Sequence, residues 1–460
     1  MSGRPFEKIL IANRGEIALR VIRTCRALGI PTVAVYSKPD ENALHVSFAD
    51  EAICIGPAIA TQSYLNQPAV LTAIEVTGAD AVHPGYGFLS ENAQFASAVR
   101  KMGRTFIGPE VEHLQMFGDK LSAKAAARGA GLPLLSGSEG AVQSLEEAHA
   151  IATESGYPVM LKAAAGGGGK GMRVVETAED LERFFALAQA ESLAAFGSGD
   201  VFIERYLRRP RHIEVQVAGD GSGGGIHIGT RDCSLQRRHQ KIIEEAPAPH
   251  LSDALRSRIC GAAAELIRNV SYRSLATVEF LVEDEGFFFL EVNPRIQVEH
   301  PVTEEVSGLD LVELQIRVAA GEGLPVKQED VCIEGHAMEV RVNAEDPTNF
   351  LPSPGLVTGY HQPGGPGIRV DSAIHEQAMV QPHYDSLTAK LIVKGRDREH
   401  ARRRMLGAID EFIVEGIRTT LPLQYALLET SEFLECTYWT QFVDQFVVEY
   451  AARQREESGG

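Results

Sequence analysis

The sequence predicts a multidomain protein of mixed α/β structure, and three observations support this fold class. The chain has 460 residues, enough for two to four domains with sizeable cores. Its composition is that of an ordinary globular protein, with neither a collagenous nor a disordered bias. Its N-terminal part alternates apolar strand-like runs with an amphipathic helical run, which is typical of a parallel, doubly wound sheet.

Charge, hydropathy and cysteine content argue against several classes of protein. The formal net charge of −18 argues against a general nucleic-acid-binding protein. No apolar run approaches the roughly 18–20 residues that span a bilayer, and the N-terminus has too short an apolar core for a secretory signal. The six cysteines form no CxxC pair and are expected to be reduced thiols. We therefore expect a cytoplasmic protein with no nucleic-acid or membrane partner.

The first predicted elements are a strand at Lys8–Ala12, a helix at Glu16–Leu28 and a strand at Thr32–Tyr36. The turn Asn13–Glu16 between the first strand and the helix contains a single glycine. It therefore lacks the GxGxxG pattern that binds dinucleotides, and the sequence argues against an NAD site at this turn.

A glycine-containing loop, His83–Asn92, follows the predicted strand Ala79–Val82. One interpretation is a tight connection in which Ser90 caps the next helix. The other is a loop that contacts substrate, because parallel sheets bind ligands at the carboxyl ends of their strands. A helical segment is then predicted over about Val111–Gly131, where Lys120 alone would be an ordinary surface lysine.

A glycine run at Gly166–Gly169 lies between two apolar strands, Pro158–Lys162 and Met172–Val175. It is not a Walker A loop, because Lys170 is followed by Gly171 instead of serine or threonine. Such a run is often only a linker. The flanking strands favour the alternative, a hairpin tip whose backbone N–H groups bind phosphate and which closes over a nucleotide.

Two polar patterns follow. In the predicted strand Arg211–Val217, the side chains of His212, Glu214 and Gln216 share one face, which either faces solvent or lines a nucleotide cleft. The segment Arg231–Lys241 contains four arginines or lysines. It is either a solvated cationic edge or a site for a small anion such as phosphate or bicarbonate.

Two strands, Thr277–Glu283 and Phe287–Asn293, are predicted to form a hairpin with a three-residue loop that contains glycine. Pairing centred on that loop places Glu279 opposite Glu291, with Asn293 on the same side. The alternative to metal binding leaves this like-charge pair uncompensated. Two carboxylates and an amide oxygen instead favour a hard-cation site such as Mg²⁺.

Five segments distributed across nearly the whole chain carry a more specific signal. They are Ile11–Ala18, His83–Asn92, Gly166–Met172, Arg231–Pro249 and Asn293–Glu304. Two stretches within them, RDCSLQRRHQK and NPRIQVEHPVTE, are too long to match by chance. Together, and in this order, the segments resemble the biotin carboxylase family of the ATP-grasp superfamily.

The resemblance implies α/β and α+β architecture in three domains. An N-terminal Rossmann-like domain with a parallel sheet is expected at residues 1–118. A central ATP-grasp domain is expected at 119–330, with a mobile glycine-rich lid at about 135–207. A C-terminal α+β domain is expected at 331–450, followed by a frayed polar tail at 451–460.

The resemblance also assigns site residues. Leu207 and Leu281 would flank the adenine, and Glu299 would be the general base. The ATP positions are Lys120, Lys162, Gly168, Gly169, Glu204, Leu207, His212, Gln236, His239 and Leu281. The remaining positions are Glu279, Glu291 and Asn293 for Mg²⁺ or Mn²⁺, Lys241, Arg295, Gln297 and the Val298 backbone for bicarbonate, and Arg341 and Tyr86 for biotin.

The glycine-rich lid departs from the family pattern at two positions. Many members have five glycines and an arginine, whereas Ala165 and Lys170 stand here. Lysine keeps the positive charge but lacks the bidentate fork of arginine, so the geometry between lid and phosphate is expected to differ.

The implied activity is the ATP- and bicarbonate-dependent carboxylation of biotin through carboxyphosphate. No lysine is flanked by two methionines, so biotin is expected on a separate carrier protein, with a carboxyltransferase as a further partner. The commonest setting is acetyl-CoA carboxylase in fatty acid biosynthesis; pyruvate, propionyl-CoA or urea carboxylases are also possible, and a homodimer is the family expectation. The alternatives are another ATP-grasp ligase and a non-catalytic nucleotide-binding regulatory subunit.

Overall fold

The computed structural model describes residues 4–138, 140–163, 172–196, 199–238 and 240–459. The chain divides into two compact units, which are described separately. The large unit comprises Met1–Leu132, Arg211–Phe280 and Leu290–Gly460, and the small unit comprises Pro133–Pro210 and Leu281–Phe289.

The large unit begins with the predicted parallel sheet, which is confirmed. Within the described ranges five strands form it in the order β3-β2-β1-β4-β5, and all neighbours pair in parallel. The strands are β1 Ile9–Ile11, β2 Thr32–Ser37, β3 Glu51–Gly56, β4 Ala81–His83 and β5 Thr105–Phe106. The accompanying helices are α1 Gly15–Ala27, α2 Leu44–Phe48, α3 Gln67–Thr77, α4 Ala93–Lys101, α5 Val111–Gly118 and α6 Lys120–Gly129.

Helix caps correct two of the sequence predictions. The segment predicted as one helix is divided into α5 and α6 at Asp119, whose carboxylate caps α6 by accepting from the Ser122 amide at 2.8 Å. Helix α4 is capped by Asn92, which accepts from the Phe95 amide at 2.8 Å, and not by Ser90. Asparagine and aspartate are favoured at these positions because their short side chains accept from the free N–H groups of the first turn.

The small unit contains a three-stranded antiparallel sheet, counted over its described residues, in the order β7-β6-β8. Its core includes the fully buried Leu161, Leu181 and Ile203. Its elements are α7 Leu145–Ser155, β6 Val159–Ala163, β7 Met172–Val175, α8 Ala178–Phe196 and β8 Val201–Arg205.

A second sheet carries most of the polar residues discussed below. In the part of the chain that is described, eight strands form it in the order β13-β12-β9-β10-β11-β14-β19-β17. The strands from here on are β9 Arg211–Asp220, β10 Gly225–Arg237, β11 Gln240–Ala246, β12 Arg273–Glu283, β13 Gly286–Asn293, β14 His336–Asn343, β15 Gly355–Leu356, β16 Gly359–His361, β17 Ile368–Ser372, β18 Met379–Val380, β19 Leu387–Gly395 and β20 Ile413–Glu415. The helices are α9 Asp253–Asn269, α10 His300–Ser307, α11 Leu311–Ala319, α12 Arg398–Glu411, α13 Leu421–Leu428, α14 Ser431–Glu435 and α15 Phe442–Gly459.

The predicted hairpin is present as β12 and β13, but its turn is shorter than expected. Strand β12 ends at Glu283 and β13 begins at Gly286, so only Asp284 and Glu285 form the turn. Asp284 adopts a left-handed conformation with φ of 53°, which aspartate tolerates better than most residues. The turn is therefore made without the glycine, and its centre no longer implies direct opposition of Glu279 and Glu291.

The C-terminal residues also differ from expectation, because α15 continues to Gly459 where a frayed tail was predicted. Val443, Val447 and Tyr450 recur at helical spacing and are buried, which anchors the helix. Arg453 lies 3.7 Å from Glu449 one turn earlier. Among the described helices, none is long and apolar enough to cross a lipid bilayer.

Candidate active site

The carboxylate of Glu299 lies at the centre of the candidate site. Glu299 directly precedes α10 and is 1% exposed. Its Oε1 accepts from Nζ of Lys241 at 2.7 Å, and its Oε2 accepts from Nη2 of Arg341 at 2.8 Å. Lys241 lies on β11 and Arg341 on β14, two neighbouring antiparallel strands. The sheet therefore brings together three residues that the sequence assigned to base, bicarbonate and biotin positions.

The charge state of Glu299 follows from these contacts. Burial alone would raise the pKa of its carboxyl group, but the positive charges of Lys241 and Arg341 lower that pKa below its ordinary value. Glu299 is therefore an ionised carboxylate at neutral pH. This is the form that a general base must have before it takes a proton.

Lys241 contacts three buried carboxylates. Its Nζ hydrogen-bonds to Glu214, lies 3.1 Å from Oε1 of Glu279, and donates to Glu299. Burial would lower the pKa of the ammonium group, but the three carboxylates raise it well above its usual range. Lys241 thus stays charged. Because the three carboxylates take all three of its N–H donors, a small anion bound here would replace one of these contacts.

Arg231 is a central residue that the sequence did not assign to the site. It is fully buried on β10, and its guanidinium donates to Glu214 at 2.9 and 3.0 Å and to Gln297 at 2.5 Å. It also donates to Gln216, Thr277 and Thr303 at 2.8, 2.9 and 3.0 Å. The solvated-edge interpretation of segment 231–241 is therefore wrong for Arg231 and Lys241.

The polar face of β9 is buried, so its solvent-facing interpretation is also wrong. His212, Glu214 and Gln216 are at most 6% exposed. Nε2 of His212 lies 2.9 Å from Oε2 of Glu279 and 3.3 Å from Oε1 of Glu214. Burial would lower the pKa of His212, but Glu279 and Glu214 raise it to about 10. The imidazole is therefore cationic in the folded chain, which suits contact with phosphate oxygens.

The predicted metal ligands carry donor atoms of the kind that bind a divalent cation. Oε1 of Glu279 accepts from Nδ2 of Asn293 at 2.8 Å, so these two side chains lie together. The pKa of Glu291 is raised by partial burial and then by the negative charge of Glu279. A divalent cation would relieve that repulsion, and two carboxylates with an amide oxygen are the donors that Mg²⁺ prefers.

Arg295 connects this cluster to the loop His83–Asn92. Its Nη2 donates to Oδ1 of Asn293 at 3.0 Å, and its Nε lies 3.2 Å from Oε2 of Glu91. Asn13 holds the same loop by donating to the carbonyls of Pro84 and Tyr86, both at 2.7 Å. These contacts favour the substrate-side interpretation of the loop, because they place it beside Arg295.

Tyr86 is linked to Val298 through a buried ion pair. The Tyr86 hydroxyl hydrogen-bonds to Glu16, and Oε2 of Glu16 lies 3.2 Å from Nζ of Lys390. Lys390 is fully buried and donates to the Val298 carbonyl at 2.8 Å. The proposed biotin position Tyr86 and the proposed bicarbonate position Val298 are thereby fixed relative to each other.

Two further carboxyl groups lie behind Arg341. Glu244 accepts from Nε of Arg341 at 2.6 Å and pairs across the strands with Glu339. Glu339 is fully buried, and neither of its carboxyl oxygens has a hydrogen-bond partner among the described residues. Burial, and then the charge of Glu244, raise the pKa of Glu339 well above its usual range. These surroundings favour the protonated, neutral form of Glu339.

The other predicted ATP positions take no part in the contacts described above. Gln236 is buried on β10 opposite Lys241, and Lys120 is exposed at the start of α6. Within the small unit, Lys162 forms an ion pair with Glu204, Leu207 is buried and Leu281 is half-buried. Gly168, Gly169 and His239, together with Ala165 and Lys170, lie outside the described residues.

Family models match most of the chain. The biotin carboxylase N-terminal domain matches residues 5–114, and the biotin carboxylase C-terminal domain matches residues 339–445. Between them, the ATP-binding domain of the carbamoyl-phosphate synthase L chain matches residues 119–327. An ATP-binding domain between two biotin carboxylase domains places the chain in the class of ATP-dependent ligases.

The chain belongs to the biotin carboxylase family. The biotin carboxylase of Pseudomonas aeruginosa is 53% identical over 429 residues, covering 93% of this chain and 96% of that protein. A pyruvate carboxylase component of Methanothermobacter thermautotrophicus is 49% identical over 442 residues, covering 96% of this chain and 90% of that protein. The predicted family, fold class and enzymatic character are thereby confirmed.

A solved structure shows the same fold. It is the biotin carboxylase domain dimer of Hydrogenobacter thermophilus 2-oxoglutarate carboxylase, in complex with MgADP, ADP and bicarbonate. The match has a TM-score of 0.85 and 44% identity, and covers 96% of this chain and 97% of that one. The relatives thus include parts of differently named carboxylases, which share this fold.

Proposed function

We propose that this chain carboxylates biotin on a separate carrier protein, with ATP and bicarbonate as co-substrates. The observation that carries the proposal is Glu299, an ionised, buried carboxylate held between Lys241 and Arg341. The base Glu299 beside Lys241 suits the deprotonation of a small anion. The second cation, Arg341, suits the stabilisation of a negative charge that forms afterwards.

In the first step, bicarbonate is held by Lys241, Arg295, Gln297 and the backbone of Val298. Glu299 takes the bicarbonate proton while a carbonate oxygen attacks the γ-phosphorus of ATP. The bond from that phosphorus to the β,γ-bridging oxygen breaks, and ADP and carboxyphosphate form. Charge-assisted hydrogen bonds from Lys241 and Arg295 position the nucleophile for this attack.

The family resemblance assigns ten positions to ATP, and among those in the large unit the cationic His212 is suited to contact phosphate oxygens. Glu279, Glu291 and Asn293 would hold magnesium, which neutralises charge on the phosphate oxygens when it is bound. The described geometry supports Glu279 and Asn293 most directly, because their side chains are 2.8 Å apart.

In the second step, carboxyphosphate separates into CO₂ and phosphate. Phosphate takes the proton from the ureido nitrogen of biotin, and that nitrogen attacks CO₂ to give carboxybiotin. Arg341 stabilises the negative charge on the ureido oxygen, and Tyr86 contacts the biotin ring. Arg341 is fitted to this role because Glu244 and Glu299 hold its guanidinium from two sides.

We further propose that the chain is a cytoplasmic homodimer that works with a biotin carboxyl carrier protein and a carboxyltransferase, as part of acetyl-CoA carboxylase. The dimer of the Hydrogenobacter thermophilus domain supports the homodimer, and the name of the Pseudomonas aeruginosa relative, biotin carboxylase, supports the biotin reaction. The acetyl-CoA carboxylase setting rests on the family resemblance alone. Pyruvate carboxylase is the second candidate, since the Methanothermobacter thermautotrophicus relative is part of that enzyme.

The decisive assay measures ADP release with bicarbonate and magnesium, in the presence and absence of free biotin. Stimulation of ADP release by biotin supports biotin carboxylation. ADP release that depends on bicarbonate but not on biotin supports a ligase with another acceptor. Absence of ADP in both conditions supports a regulatory nucleotide-binding protein. Reconstitution with carrier and carboxyltransferase, supplied with acetyl-CoA or pyruvate, then identifies the acyl acceptor.

A further inference from the structure

A cavity lined by three arginines lies in the large unit, apart from every residue assigned to the reaction. Its volume is about 270 Å³, and we call it the arginine cavity. It lies where α4, β5, β12 and α11 approach one another. Its lining residues are Arg100, Arg104, Thr105, Phe106, Arg273 and Ala319.

The arginine cavity carries excess positive charge. Glu110 is the carboxylate that pairs with its arginines: it forms an ion pair with Arg100 and accepts from Nη1 of Arg273 at 2.9 Å. Burial would raise the pKa of Glu110, but hydrogen bonds from Arg273 and the charge of Arg100 lower it, so Glu110 is ionised. One carboxylate against three guanidinium groups leaves two positive charges uncompensated by these contacts, in a chain whose net charge is −18.

Two of the arginines also have donors without an acceptor. Arg104 is half-buried, and its side chain makes no hydrogen bond or ion pair within the described part of the chain. Nε of Arg100 is buried and has no acceptor among the same residues. Arg273 is held more firmly, because it donates to the carbonyls of Val318 and Ala319 at 3.1 and 2.9 Å. Guanidinium donors that no protein acceptor uses, beside a guanidinium that is held in place, leave capacity to bind an anion in the cavity.

We propose that the arginine cavity binds a small organic anion with two or more carboxylate or phosphate groups. The planar guanidinium fork matches both kinds of oxygen pair. At about 30 Å³ per water molecule, the volume corresponds to roughly nine waters, which exceeds a single inorganic phosphate. Phe106 and Ala319 supply an apolar wall for a carbon skeleton. The site is independent of the proposed reaction, since none of its residues is assigned to ATP, bicarbonate, metal or biotin.

Binding to the whole chain is measured by isothermal titration calorimetry in magnesium-free buffer. Citrate and fructose 1,6-bisphosphate serve as the carboxylate and phosphate probes. The wild-type chain is expected to bind at least one probe saturably, with an affinity that falls as salt is added. Arg104→Gln is expected to weaken binding about tenfold or more, the effect of one lost charge-assisted contact. The probe that binds more tightly identifies the ligand chemistry.

Arg396→Gln is the matched control, because it removes the same charge from an arginine that is 82% exposed and remote in sequence from the cavity. It should leave binding within about twofold of wild type. Arg104→Gln should fold normally, since Arg104 makes no side-chain hydrogen bond or ion pair to lose within the described residues, and its melting temperature and ADP release should match wild type. The proposal is overturned if neither probe binds saturably, or if Arg104→Gln binds as tightly as the control.

Discussion

Glu299 and Arg341 form a direct ion pair, with Oε2 of Glu299 accepting from Nη2 of Arg341 at 2.8 Å. The proposed base of the first step therefore restrains the proposed cation of the second. When Glu299 takes a proton it loses its negative charge, and its attraction for Arg341 weakens. In the proposed mechanism, protonation of Glu299 thus loosens one side of the guanidinium before the ureido oxygen gains its charge, while Glu244 keeps the other side in place.

Replacement of Glu299 by glutamine is expected to abolish bicarbonate-dependent ATP cleavage while ATP binding persists. The amide cannot accept the bicarbonate proton, and loss of a general base typically costs roughly 10²–10⁴-fold in rate. Steady-state ADP release measures the rate of ATP cleavage, and nucleotide titration measures ATP binding. Glu75→Gln, an exposed change on α3, is the control for charge. Normal turnover of Glu299→Gln would rule out the assignment of the base.

Arg341→Lys is expected to slow the carboxylation of biotin far more than the cleavage of ATP. Lysine keeps the charge but cannot contact Glu244 and Glu299 with two different nitrogens, as the guanidinium does at 2.6 and 2.8 Å. Biotin carboxylation should fall on the order of a hundredfold, while ADP release without biotin changes far less. Parallel assays with and without biotin give both rates. Equal losses in both would place Arg341 in the bicarbonate step instead.

Glu291→Ala is expected to raise the magnesium concentration needed for half-maximal activity, because one of the proposed carboxylate ligands is lost. The measurement is ADP release over a magnesium titration at fixed ATP. Asp284→Asn, at the exposed turn of the same hairpin, removes an equal charge and should leave the titration unchanged. If the two variants titrate alike, Glu291 is not a ligand, and the face predicted from the hairpin is incorrect.

Glu339→Gln is expected to stabilise the fold increasingly as pH rises. The pKa of Glu339 is raised in the folded chain, so above its ordinary value near 4.3 the unfolded chain loses a proton that the folded chain keeps. Wild-type stability therefore falls with pH in that window, by up to about 1.4 kcal/mol per pH unit, whereas glutamine does not titrate. Melting temperatures at pH 5.5 and 8 test this. If the difference in melting temperature between the variant and the wild type is the same at both pH values, the raised pKa of Glu339 is contradicted.

The N-terminal fold could be predicted because the sequence patterns that indicate it lie within short stretches of the chain. Apolar runs and an amphipathic helix alternate there, and β1, α1 and β2 were placed within a residue or two of their observed bounds. The division between α5 and α6 was missed, because Asp119 interrupts a continuous helical periodicity through a capping hydrogen bond to the Ser122 amide.

The candidate site was less accessible to sequence reasoning. Alternation along β9 shows that His212 and Glu214 share a face, but not that the face is buried. That depends on Arg231, which pairs with Glu214 from the neighbouring strand. Glu339 gives no local signal either, since a single glutamate in a strand usually faces solvent. The family resemblance supplied the individual ligand roles, which stay predictions.

The contact of Lys390 with Val298 has a consequence for how the protein folds. Lys390 lies 92 positions beyond Val298 in the chain and also pairs with Glu16, near the opposite end of the sequence. The segment around Val298 can therefore complete this contact only when β19 is in place, and the contact joins parts of the chain that are far apart in sequence. During synthesis on the ribosome, a chain that has not yet exposed residue 390 lacks this contact, so we expect its proposed active site to be incomplete. Nascent intermediates of this length should consequently be unable to cleave ATP wastefully.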